Sequence, residues 1–539
     1  MKFTSILLQI FTLYLITSFS SYAQENYVSE AWSPDKGDGT YKNPIIHADY
    51  SDPDICRSGD DFYMTSSSFN SVPALPILHS KDLVNWELVN YAVKEFPSSY
   101  YDIPQHGNGV WAPCFRYHDG MFYIYWGDPD RGIYMVQTDD PKGEWSAPVL
   151  VKKAYGNIDS SPLWDDDGKV YLVHAFAHSR AGVKSLLQVV ELSKDGSQIM
   201  DKGTIVFDGH KDHPTIEGPK FYKRNGYYYI FAPAGGVPTG WQLILRSKNV
   251  YGPYEEKIVL AQGDTPINGP HQGGWVELDN GENWFVHFQD RGAYGRIVHL
   301  QPVEWIDDWP VMGNDKDGDG TGEPFLVHKK PKLSGNGVIN PVESDEFEST
   351  EQGLQWQWNA TPKNGFYSLK AKPGMLKLNA LALPEMANNL WMAPNIILQK
   401  FPAEVFSNTI KMDVSNLKDG EESGLIVFGM DYAAIAVRKS GDGYSIVQNV
   451  CKKADQNKAE ATVASEKTDK TTIWLKLDVK KDALVTFSYS LDGKSFKPLG
   501  DTFTAKEGKW VGAKTGLYSK RSSSSGLSGY SLIDWFRVE

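Results

Sequence analysis

The chain has 539 residues, 41% of them hydrophobic and 22% charged, with a formal net charge of −13. That length exceeds a single hydrophobic core, so two or three domains are expected. An acidic balance disfavours a nucleic-acid partner, which needs a basic surface, and past the N-terminus no stretch is long and apolar enough to span a bilayer.

Lys2 precedes an apolar run over 6–19, and Ser21-Tyr22-Ala23 follows. A positive start, a short apolar core and small exit residues describe a secretory signal peptide over 1–23, cleaved after Ala23. The expected product is periplasmic or secreted. The first cysteine is Cys56, so no lipid-anchored cysteine sits at that cleavage site. Residues 24–40 read as a polar lead-in.

From about 41 to 313 one phrase recurs five times, a polar turn followed by an aromatic strand. The copies are Asp60-Asp61-Phe62-Tyr63-Met64, Asp119-Gly120-Met121-Phe122-Tyr123, Asp167-Gly168-Lys169-Val170-Tyr171, Asn225-Gly226-Tyr227-Tyr228-Tyr229 and Asn280-Gly281-Glu282-Asn283-Trp284-Phe285. Aligned on positions 62, 122, 170, 228 and 284, the steps are 60, 48, 58 and 56 residues. A period of that size marks one supersecondary unit stacked repeatedly, and Asp-Gly or Asn-Gly before alternating aromatics signals hairpins. Five all-β units predict a five-bladed β-propeller, closed radially. Second phrases at 78–86, 140–145 and 249–254 read as outer-strand hairpins. The 17 Trp and 28 Tyr suit stacking on sugars, and all-β cores use aromatics as well.

Residues 314–343 are expected to be a linker. Within them Asp315, Asp317, Asp319 and Gly320 resemble the start of a calcium loop, but the twelfth position is Leu326 rather than glutamate, so a solvated turn is expected. From 344 to 539 short strands such as Gly424-Leu425-Ile426-Val427-Phe428 alternate with turns and predict a β-sandwich, with a flexible loop at 522–526. Three cysteines, Cys56, Cys114 and Cys451, are too few for a disulfide framework and are expected as buried free thiols.

Three carboxylates stand apart by their neighbours. Asp52 lies in Tyr50-Ser51-Asp52-Pro53-Asp54, Asp159 in Ile158-Asp159-Ser160-Ser161-Pro162, and Glu217 in Ile216-Glu217-Gly218-Pro219. Each precedes a blade, where the innermost strand begins. Turn capping explains either aspartate singly, but glutamate is a weak turn former, and three equivalent placements point to one central pocket. Two carboxyl groups across a pocket, one protonated and one ionised, are what cleavage of a glycosidic bond requires.

These motifs, with Asn43-Pro44-Ile45-Ile46 and Val110-Trp111-Ala112-Pro113 in the same order and spacing, resemble glycoside hydrolase family 43. The resemblance covers both parts of the chain. It implies an inverting enzyme on a five-bladed propeller, fused to a concanavalin-like sandwich that packs on it and lends a loop to the pocket rim. It gives Asp52 the general-base role (with Asp54 as rival), Glu217 the general-acid role, and Asp159 the tuning of that acid. Trp111 resembles an aromatic wall of the sugar pocket, Arg296 a pocket arginine, and His271 a histidine near the propeller axis where some members hold a structural calcium through water. Gln289 and Phe69 are further lining candidates. No cofactor is required.

The expected activity is exo-acting removal of terminal α-L-arabinofuranosyl residues from oligosaccharides of plant hemicellulose, with β-xylosidase as the close alternative. A non-catalytic sugar-binding propeller is the alternative of another class. Such a protein would be expected to lack one carboxylate, and this chain has all three. The segment 95–108 is expected to wall one end of the pocket. The sequence sets no oligomeric state.

Overall fold

The structure, a computed structural model, describes residues 26–522 and 528–539. The expected signal peptide and most of the expected loop at 522–526 lie outside the described residues. Among those described, no helix is long and apolar enough to cross a membrane.

Five four-stranded antiparallel sheets follow one another along the chain, each built from consecutive strands. Blade 1 holds Asp54–Ser58, Asp61–Thr65, Ala74–Ser80 and Glu87–Val93. Blade 2 begins with Trp111–His118, blade 3 with Asn157–Trp164, blade 4 with Lys220–Arg224 and blade 5 with His271–Glu277. The aromatic phrases of the sequence form the second strand of each blade: Asp61–Thr65, Met121–Asp128, Val170–Phe176, Tyr227–Ala234 and Asn283–Asp290. Their large side chains fill the wedge between neighbouring sheets. Phe62, Met64 and Trp86 of blade 1, for example, share a core with Val276, Trp284 and Leu300 of blade 5.

The ring closes without exchange of strands between the first and last blades. Instead the chain ahead of blade 1 is pinned to blade 5. Asn43 Nδ2 donates to the carbonyls of Leu300 and Phe325 while its Oδ1 accepts the Leu300 N–H, and Ile46 bridges Val298. Thr40–Lys42 pairs with Val327–Lys329, so the expected linker is tied along the propeller rather than free. Within it Asp315, Asp317 and Asp319 gather their carboxylates within 4.8 Å, and Asp315 accepts the N–H groups of Gly318 and Gly320. All three cysteines are buried free thiols.

The C-terminal part is a sandwich of two eight-stranded sheets with a dense core that includes Trp356, Trp358, Leu425, Leu475 and Phe536. It docks on the propeller through main-chain pairing as well as side chains. Val72 and Trp358 exchange N–H···O bonds of 3.1 and 2.6 Å, the Ala513 N–H meets Ala293 O at 2.7 Å, and His106 stacks on Trp391 at 3.7 Å. The segment 95–108 is thus held between the two parts.

Two sandwich lysines lie in this seam, Lys514 buried and Lys400 partly buried. Lys514 Nζ donates to Ser71 Oγ at 2.6 Å, and Lys400 Nζ to Gln357 Oε1 at 2.9 Å. Burial, then the neighbouring Lys400 charge, pushes the Lys514 amine down to about 7. An unfolded lysine keeps its proton to roughly 10.4. Between those values the unfolded chain binds a proton that the folded chain does not, so this group makes stability rise with pH across that window. Lys514→Met removes the titration. The expected outcome is a melting-temperature difference between wild type and variant that moves in favour of wild type from pH 6.5 to 9.5; parallel pH curves would refute the assignment.

Candidate active site

The innermost strands break regularity where they reach the pocket. Blade 2 is bulged between Trp111 and Cys114, blade 3 between Ile158 and Ser161, and blade 5 between His271 and Gly273. Ala112, Asp159 and Gln272 sit in these bulges with φ of 34°, 57° and 33°, and Asp52 and Thr215 have φ of 53° and 60°. Positive φ is uncommon for residues with a side chain, and bulges re-aim side chains. Here the irregular backbone turns side chains into the central space rather than into a blade interface. Gly218, at φ 58°, is required by space too, because a Cβ there would lie 2.4 Å from the Gln272 side chain.

Asp52, Asp159 and Glu217 all open into one cavity of about 310 Å³, walled also by Phe69, Trp111, Ile158, Val237, Pro238 and Arg296. The wall is mainly apolar, the usual character of a small-ligand site with a few convergent polar groups.

Each carboxylate is held differently. Asp52, 4% exposed, accepts hydrogen bonds from Ser51 Oγ at 2.8 Å and Ser67 Oγ at 2.5 Å, and pairs with Arg296 Nη1 at 3.1 Å. Ser67 is itself fixed, because its Oγ accepts the Ala112 N–H at 2.7 Å. Asp159, 2% exposed, has one hydrogen bond, from the Gly218 N–H at 2.8 Å. Burial first, then the Glu217 charge and more weakly that of Asp52, push the Asp159 carboxyl well above its ordinary range. Asp159 therefore retains a proton more readily than an ordinary carboxyl group, beside the Glu217 carboxylate. Glu217 is more open, with Oε1 3.1 Å from His271 Nε2. Burial opposes the Arg296 charge, but Asp52, Asp290, Asp49 and Glu217 outweigh it and hold the guanidinium firmly protonated.

The remaining candidates separate. Phe69 and Trp111 line the cavity edge to face, 6.2 Å apart. His271 stands behind Glu217, fully buried, with Nδ1 lacking a protein partner. Gln272 Oε1 is likewise buried and unpartnered, an acceptor suited to a bound water. Asp315, Asp317 and Asp319 form the one group of three acidic, histidine or cysteine side chains gathered within 4.8 Å among the described residues, and it lies in the linker rather than at His271. Gln289 does not line the cavity. Its Nε2 is spent on Pro266 O and Asn268 Oδ1, at 2.8 and 2.7 Å, and it braces the chain before blade 5. Asp54, the rival of Asp52, is also outside the wall, because its Oδ2 receives the Phe115 N–H and Arg116 Nη1, both at 2.8 Å.

Sequence reasoning passed over one wall residue from the other domain. Trp510, 48% exposed and at φ 65°, reaches from a sandwich loop into the cavity and meets Trp111 edge to face at 6.2 Å. A tryptophan in the polar turn Gly508-Lys509-Trp510-Val511-Gly512 was the available signal. Ser51 and Ser67 carried none, since serines near a turn are common.

A radial all-β ring with three carboxyl groups facing one apolar-walled pocket is the architecture of a glycoside hydrolase. The family model described as glycosyl hydrolases family 43 matches residues 41–310, and that of the beta xylosidase C-terminal concanavalin A-like domain matches 344–539. The chain belongs to glycosyl hydrolase family 43. A provisionally named β-xylosidase of Xylanibacter ruminicola is 37% identical over 90% of this chain and 88% of its own length. A non-reducing end α-L-arabinofuranosidase of Bacteroides ovatus, BoGH43B, is 32% identical over 77% of this chain and 79% of its own. The solved structure titled Bacteroides ovatus xyloglucan PUL GH43B superposes with a TM-score of 0.80 at 27% identity, covering 93% of this chain and 99% of that one.

Ser67→Ala removes one charge-assisted hydrogen bond to Asp52 and the acceptor of the Ala112 N–H. Such bonds are worth about 1.5–3 kcal/mol, so kcat on an aryl pentoside is expected to fall at least about tenfold with the fold intact by circular dichroism. A rate within twofold of wild type would show that Ser67 does not hold Asp52 in its working position.

Proposed function

We propose that this protein is an exo-acting, inverting glycosidase that releases single pentoses from the non-reducing ends of plant hemicellulose oligosaccharides after export from the cytoplasm. β-D-xylosides are the primary substrate in this reading. α-L-arabinofuranosides, the activity expected from the sequence, are the second. The two sugars present similar hydroxyl patterns to the same carboxylates, and the more similar of the two relatives above carries the xylosidase name.

The observation that carries the reading is the unequal treatment of carboxyl groups sharing one cavity. Asp52 is surrounded by donors, so it suits removal of a proton from an attacking water. Glu217 and Asp159 make up the pair that shares a proton in this reading, and Glu217 is its more open member, so it suits donation to the leaving oxygen. Asp159 touches neither event directly; its buried charge sets how readily that pair holds the proton. Inversion follows from the family resemblance and corresponds to direct water attack with no glycosyl-enzyme intermediate. No organic cofactor enters. A structural calcium near His271 would be reached through water from Nδ1 and would support the fold rather than take a step in the reaction.

A comparison of rates on nitrophenyl β-D-xyloside and nitrophenyl α-L-arabinofuranoside decides between the sugars, and turnover of neither would sink the reading. Glu217→Ala is expected to lower kcat at least about 100-fold on substrates with poor leaving groups while retaining sugar binding by calorimetry. Asp159→Asn removes the repulsion that keeps a proton on the pair. The alkaline limb of the pH–rate profile is therefore expected to move to lower pH, and an unmoved limb would exclude the tuning role.

A further inference from the structure

Asp49 lies three residues before Asp52, is 5% exposed, and belongs to no blade strand. Its side chain forms no ion pair within 4 Å among the described residues. Instead Oδ1 accepts the backbone N–H of Arg296 at 2.9 Å, and Oδ2 accepts the backbone N–H of Gly512 at 2.9 Å. One carboxylate thus joins the propeller to the sandwich, and both ends adjoin the pocket wall. Arg296 carries the guanidinium that pairs with Asp52, and Gly512 follows Trp510 by two positions.

The contact that Asp49 spans is backbone on backbone. A Cβ on Gly512 would lie 2.6 Å from Gly295 N, and a Cβ on Gly295 would lie 2.5 Å from Asp49 Cβ. The Ala513 N–H adds its bond to Ala293 O beside them. The electrostatic setting explains why a carboxylate tolerates this depth. Lys400 and Lys514 lie close enough to feel its charge, and two main-chain donors satisfy its oxygens. A neutral amide fits poorly, because its NH₂ end would confront an N–H.

We propose that Asp49 is a positioning residue for the pocket: it fixes the Trp510 loop of the sandwich and the Arg296 main chain of the propeller in one frame, so that the second domain completes the sugar site through this carboxylate. The inference rests on the cavity being the sugar site of the proposed function. It predicts that loss of the strut acts on substrate binding through Trp510, not on folding in general.

A double-mutant cycle tests it, using whichever nitrophenyl pentoside the wild-type protein turns over. Asp49→Asn is expected to raise KM about tenfold in the wild-type background and less than twofold in the Trp510→Ala background, since coupled residues are non-additive. Gly512→Ala, which displaces the same loop from the other side, is expected to reproduce the KM effect with Asp49 present. Tyr91→Phe breaks a seam bond to Leu354 O away from the cavity and is the control expected to leave KM unchanged. Equal KM changes from Asp49→Asn in both backgrounds, or a loss of active enzyme with KM unmoved, would overturn the inference. So would a Gly512→Ala protein with wild-type KM. Wild-type inactivity on both pentosides would sink the proposed function instead, a result distinct from additivity in an active enzyme.

Discussion

Three carboxyl groups in one apolar-walled cavity pose an electrostatic problem that the surrounding structure has to solve. Taking an ion out of water costs several kcal/mol even after relaxation, and three like charges together cost more. The solution is asymmetric. Asp52 receives a guanidinium and two hydroxyls, whereas Asp159 receives one backbone N–H and keeps the burial penalty. Placing the donors on one side leaves the Asp159–Glu217 side retaining a proton. The unequal distribution of donors, with Asp159 held above its ordinary range, is therefore built into the fold before any sugar enters.

That asymmetry depends on where the backbone departs from ideal β structure. A regular inner strand would send alternate side chains into the interfaces between blades. The bulges at Ala112, Asp159 and Gln272, and the left-handed conformations of Asp52 and Thr215, instead direct groups toward the axis. Below this layer Asp54 and Arg116 form an ion pair, and Lys220 Nζ meets Pro113 O at 2.8 Å. The buried charges of the inner strands thus serve two ends, one holding blades together and the other facing the cavity.

The sandwich belongs to the site and not only to the chain. Its core takes in Tyr294 of the propeller, Trp510 forms part of the cavity wall, and its loop is seated by contacts in which added side-chain atoms would collide. Main-chain pairing between Val72 and Trp358 fixes the seam at another point. Such a seam places the wall residue with the accuracy of a sheet rather than of a free loop.

The ring architecture was legible in the sequence because its signal is periodic. Five turn-plus-aromatic phrases recur, and each marks the second strand of a blade, where large side chains must fill the space between sheets. The convergence of Asp52, Asp159 and Glu217 could be inferred because each lies at the start of a unit, although Asp159 sits within the bulged first strand of blade 3 rather than ahead of it. Gln289 looked equivalent by sequence, but its amide is turned outward by Pro266 and Asn268, a choice made by loop packing that no local pattern encodes. Asp49 and Asp54 flank Asp52 in the same acidic stretch, and only the tertiary structure separates a strut, a pocket carboxylate and a core ion pair. Trp510 lies 198 residues beyond Met312, the end of the last blade. Local spacing and residue type determined the units and their acidic starts, because those depend on turn chemistry and side-chain period. Which acids face the cavity, and what the second domain adds to it, were decided by ring closure and domain docking, which set long-range contacts that neighbouring residues do not specify.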